Sequence, residues 1–98
     1  MFNNTAIWED LDIPLSSITD ADLAALEIRL AVAIEEGDLC FTPKKILAKA
    51  CWIHNLELKY SEAKGLLVEI RNTLKAGYQD FYFYHKGLQI HFYGGQVR

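Results

Sequence analysis

The stretch Asp80-Phe81-Tyr82-Phe83-Tyr84-His85-Lys86-Gly87-Leu88-Gln89-Ile90-His91-Phe92-Tyr93 decides the fold. Two aromatic and aliphatic runs flank Lys86-Gly87, and a glycine-bearing pair between such runs signals a tight turn. A two-residue turn there sets His85 opposite Leu88, Phe83 opposite Ile90 and Phe81 opposite Phe92. Opposed residues of an antiparallel pair share a face. Phe81, Phe83, Leu88, Ile90 and Phe92 therefore point one way, and Tyr82, Tyr84, Gln89, His91 and Tyr93 the other. A slip of one residue would mix the two sets, so the pattern specifies its own register. Gly94-Gly95 closes the hairpin, and residues 94–98 are expected to form a loose end.

Moving toward the N-terminus, Ser61 is expected to cap a helix over 62–76 that Gly77 ends. Ala63, Leu66, Leu67, Ile70 and Leu74 recur at spacings of three and four, a core stripe. Lys64, Val68, Arg71, Asn72 and Lys75 fall together on the opposite side. Before it, Thr42-Pro43 reads as the start of another helix, since proline suits the first helical position. Ile46, Leu47, Ala50, Cys51, Ile53 and His54 are assigned inward there, and Lys44, Lys45, Ala48, Lys49 and Trp52 outward. Trp52, with Lys45 and Lys49 on the same side, is read either as an exposed anchor or, in preference, as packed at a helix seam or beneath the N-terminal arm. Leu39-Cys40-Phe41 is short, apolar and bounded by turn chemistry, which suits a brief strand.

A further helix spans 20–36, with Thr19 as cap, Asp20 and Asp22 at the positive end of its dipole, and Gly37 as a left-handed stop. Leu23, Leu26, Leu30, Ala33 and Ile34 form one stripe; Ala21, Ala25, Ile28 and Val32 form a second on the other side. A helix apolar on two sides is expected to be covered on two sides. Ala25, Ile28 and Val32 are accordingly assigned to a contact with the N-terminal arm or with a second copy, which makes a homodimer the expected state. Residues 1–18 are that arm, with Ile7, Trp8, Leu11, Ile13 and Leu15 set among acids. Its conformation is left open.

Ninety-eight residues suit one domain. Apolar residues at 51% and charged residues at 23% are globular proportions and exclude a disordered chain. No apolar run approaches a membrane span, and no basic-then-apolar leader opens the chain, so a cytoplasmic setting with free thiols at Cys40 and Cys51 is expected. Charge is unevenly spread. Residues 1–41 hold nine acids against Arg29 alone, whereas residues 42–98 hold nine bases against four acids. A net charge of −3 thus conceals a dipolar chain.

The order helix, short strand, helix, helix, hairpin gives an α+β fold of three helices, a short strand and a C-terminal hairpin. It resembles the winged helix-turn-helix superfamily over residues 19–93. The resemblance implies that residues 62–76 form a recognition helix turning Lys64, Val68, Arg71, Asn72 and Lys75 to duplex DNA, with Lys86 as the wing contact. Arg and Lys suit phosphate or guanine, and Asn suits adenine.

Each candidate has a plainer alternative. The strip on the 62–76 helix also fits an ordinary solvated face. The face of Tyr82, Tyr84, Gln89, His91 and Tyr93 fits a half-exposed strand surface, a protein interface or a stacking platform. Of the last two, protein contact is preferred, because Lys86 is the one base among these rings. No phosphate-cradling loop, nucleophile elbow or zinc signature occurs, so no enzymatic role, cofactor or metal is expected. Cys51 and His54, three apart, are read as packed residues. The residues support two functions, the first of them leading. One is a small DNA-binding regulatory protein, which requires the cationic strip to stand free of the acidic front portion. The other is a non-enzymatic protein-interaction module, adaptor or inhibitor, using the tyrosine face or the acidic N-terminal part.

Overall fold

A computed structural model describes residues 9–77 and 80–94. Among the described residues the fold is α+β, with three α-helices and small sheets that include the C-terminal hairpin. In order the elements are β1 (Glu9–Pro14), a 3-10 turn (Leu15–Ser17), α1 (Asp20–Glu36), β2 (Cys40–Phe41), α2 (Ala48–His54), β3 (Leu58–Lys59), α3 (Tyr60–Ala76), β4 (Phe81–His85) and β5 (Leu88–Tyr93). The described residues divide into two compact units, 18–72 and 9–17 with 73–77 and 80–94.

In the first unit, α1 has the bounds that its caps dictate. Thr19 Oγ1 accepts from the Asp22 N–H and Asp22 Oδ2 accepts from the Thr19 N–H, both at 3.1 Å, a reciprocal capping box. Gly37, at φ 71°, returns its N–H to Ala33 and Ile34. Leu23, Leu26, Leu30 and Ala33 are buried; Ile34, expected beside them, is 55% exposed.

Past α1, β2 pairs antiparallel with β3, Cys40 against Lys59 and Phe41 against Leu58. Thr42-Pro43 does not start α2. It opens a turn in which the Leu47 N–H donates to Pro43 O at 3.0 Å. Leu47 then leaves helical geometry (φ −104°, ψ 36°), and the helix begins at Ala48. Ile46, Leu47, Ala50 and Cys51 are buried as expected. Ile53 is 60% exposed, because the helix presents Leu47, Ala50 and Cys51 to the interior and Ile53 projects off that arc. Trp52 is 88% exposed and does not pack.

The third helix starts one residue before Ser61, at Tyr60. Its N-terminal donor is met by Glu62, whose Oε1 accepts from the Lys59 N–H at 2.8 Å, a carboxylate at the positive end of the dipole. Ala63, Leu66, Leu67 and Ile70 form its buried stripe.

In the second unit β5 is the central strand of a three-stranded sheet, order β1-β5-β4. The hairpin has the register read from its sequence, Phe81 to Phe92, Phe83 to Ile90 and His85 to Leu88. Lys86 (φ 47°) and Gly87 (φ 84°) both lie in the left-handed region, as the mirror-image hairpin turn requires. Of residues 1–18, whose conformation the sequence left open, Glu9–Pro14 form a strand, whereas Ile7 and Trp8, like residues 95–98 of the expected loose end, lie outside the described residues. β1 runs parallel to β5, with Leu11 beside Ile90 and Ile13 beside Phe92. One sheet face is therefore mainly apolar: Leu11, Ile13, Leu88, Ile90 and Phe92 are buried, Phe81 stacks on Phe92 at 4.8 Å, and His85, opposite Leu88, is buried with them.

Candidate functional site

The other face of the β1-β5-β4 sheet collects polar and aromatic groups in rows. Register puts Asp10, Gln89 and Tyr84 in one row and Asp12, His91 and Tyr82 in the next, with Pro14 and Tyr93 following. Alternation along each strand forces this arrangement, since the intervening residues are those of the buried face.

These groups hold one another. Gln89 Nε2 donates to Asp10 Oδ1 at 2.9 Å. His91 sits between two carboxylates, with Nδ1 3.2 Å from Asp12 Oδ1 and Nε2 2.9 Å from Asp80 Oδ2. The two carboxylates thereby fix the position of the imidazole ring from both of its nitrogens. Asp80 also accepts from the Gly94 N–H at 2.8 Å. That backbone bond, then the His91 bond, holds the Asp80 carboxyl below its ordinary range.

Over this frame lie the rings. Tyr82 stacks on His91 with centroids 4.6 Å apart and planes 11° from parallel, and Tyr82 and Tyr84 follow at 6.2 Å. Tyr93 tilts against His91 at 5.7 Å. Tyr82 is 48% exposed and Tyr84 54%. The five residues read from the hairpin as a partner face do share one face. The sequence reading missed Asp10, Asp12 and Asp80, which border it. Asp10-Leu11-Asp12-Ile13 alternates with period two, and that was the available signal.

The cationic strip is differently placed. Lys64, Val68, Arg71, Asn72 and Lys75 are all exposed on α3. Arg71, however, donates to both oxygens of Glu27 on α1, at 3.1 and 3.4 Å. The same guanidinium, through its hydrogen bond and then its charge, lowers the Glu27 carboxyl. One of the strip's three bases is thus paired with the acidic front portion. Lys86 stands exposed at the hairpin tip.

Ala25, Ile28 and Val32 line a groove of about 430 Å³, together with Leu26, Arg29, Glu36 and the turn Thr42–Lys45. Cys51 is buried, its Sγ 3.9 Å from Leu56 O, and burial pushes its thiol up, opposite to what a nucleophile needs. No family model matches the chain, and neither a curated protein nor a solved structure matches it. Among the described residues, no helix is long and apolar enough to cross a membrane.

Proposed function

We propose that this chain is a non-enzymatic protein-interaction module. Its docking surface is the aromatic and acidic face of the β1-β5-β4 sheet, and its partner presents arginine or lysine. The observation that carries this reading is the stack of Tyr84, Tyr82 and His91 bordered by Asp10, Asp12 and Asp80. Tyrosine is enriched at protein interfaces because it offers area at small entropic cost and a polar tip. Aromatic faces also attract cations, and an arginine laid on Tyr82 would have nearby Asp12 and Asp80, the carboxylates that also hold His91.

A basic, arginine-rich peptide labelled for fluorescence anisotropy tests this. Tyr82→Ala with Tyr84→Ala should weaken binding by about 2 kcal/mol, the scale of an interface anchor. The hairpin should keep its fold, since both side chains lie on the exposed face. Undiminished binding in a folded double variant would exclude this face.

A second reading, duplex DNA held by α3 in the manner of a recognition helix, is favoured by the shared exposure of Lys64, Val68, Arg71, Asn72 and Lys75. It ranks lower because the Glu27 carboxylate already occupies Arg71, and each phosphate contact contributes only one increment of salt-sensitive binding.

A further inference from the structure

The groove along α1 lies on the 18–72 unit and concerns a ligand unrelated to the sheet face. Its floor is apolar: Ala25, Ile28 and Val32 from α1, with buried Leu26 and Pro43. Ile28 is 65% exposed, an isoleucine left in water by everything else in the unit. A volume of about 430 Å³ is that of a site for a small organic molecule. Ala25 and Val32 are seven residues apart, so the floor runs for about 10 Å along the helix, suited to an extended alkyl chain.

Charge at the mouth selects the head group. Lys44 and Lys45 line the groove and are exposed, and the chain from Thr42 to Leu56 contains no acid. Arg29 adds a third cation. It is anchored by Asp38 at 2.8 Å and lies over the Phe41 ring at 4.7 Å, so it is fixed in position and partly neutralised. Glu36 is the one acid among the lining residues. The Thr42 hydroxyl is a further donor.

We propose that this groove binds an anionic amphiphile, an alkyl carboxylate whose tail lies on Ala25, Ile28 and Val32 and whose head meets Lys44 and Lys45. Small sites commonly combine an apolar lining with a few polar groups that orient the ligand.

Dodecanoate, titrated below its micelle concentration into the full chain and followed by amide NMR, tests the assignment. The expected result is saturable one-to-one binding with shifts at Ala25, Ile28, Val32 and Thr42 through Lys45. Dodecyltrimethylammonium, with the same tail and the opposite charge, should bind about tenfold more weakly. Lys44→Glu with Lys45→Glu should reverse that order, and Ile28→Asp, at an exposed position, should abolish dodecanoate binding without unfolding the chain. Equal affinity for the two amphiphiles, shifts mapping elsewhere, or no saturation by about 1 mM would overturn the proposal. So would sedimentation showing a dimer that Ile28→Asp dissociates, since a second copy would then be the occupant.

Discussion

Single residues settle how the sheet face is held and where it is weak. His91 has a carboxylate at each ring nitrogen, and Asp80 has both a backbone and an imidazole donor. A carboxyl lowered in the folded state adds stability above its unfolded pKa and loses it as pH falls through the folded value. Asp80 therefore supports the sheet at neutral pH, and that support should vanish on acidification below the ordinary carboxylate range. Asp80→Asn should flatten this part of the acid-unfolding profile, measured by tyrosine near-ultraviolet dichroism; an unaltered profile would mean that Asp80 holds nothing. At the turn, Lys86 bears a β-carbon in the left-handed region, a conformation asparagine adopts more readily. Lys86→Asn should raise stability by about 0.5 kcal/mol in urea unfolding, because the mirror-image turn is then formed by its favoured pair.

Elements differ in how openly they declare themselves. The first helix could be read to its terminal residues because Thr19, Asp22 and Gly37 act within one turn of its ends. The hairpin register could be read because its face pattern and its turn agree. By contrast, Thr42-Pro43 carries the chemistry of both a helix start and a turn, and the backbone geometry of Leu47 decides for the turn. Ser61 looked like a cap, yet the donor at that helix start is met by Glu62. Thr19→Ala should accordingly cost about 1 kcal/mol, whereas Ser61→Ala should stay within about 0.5 kcal/mol. Equal losses in chemical denaturation would restore Ser61 as the cap. The parallel pairing of β1 with β5 left no turn signal, because its partners lie 79 residues apart in sequence. Ile90 is fully buried on the central strand, and Ile90→Ala should cost about 2–5 kcal/mol.

At the scale of the molecule, the uneven charge of the chain resolves into particular placements. Asp10 and Asp12 border the tyrosine face of one unit, and Glu27 and Asp38 pair with Arg71 and Arg29 in the other. The tyrosine face was legible from the hairpin alone, since alternation assigns every side chain in it. The Asp10 and Asp12 border and the Arg71–Glu27 pair were not, because both join segments far apart in sequence; Asp80 pairs within the hairpin stretch itself. That pair is exposed and worth little as stability, but it bears directly on which surface meets a partner. One amide NMR experiment weighs the two surfaces together: the full chain receives an arginine-rich peptide and a short DNA duplex in separate titrations at near-physiological salt. The expected result is peptide-induced shifts centred on Asp12, Tyr82, Tyr84 and His91, lost in Tyr82→Ala with Tyr84→Ala. A silent sheet face, with duplex-induced shifts along Lys64, Arg71 and Lys75 instead, would contradict it.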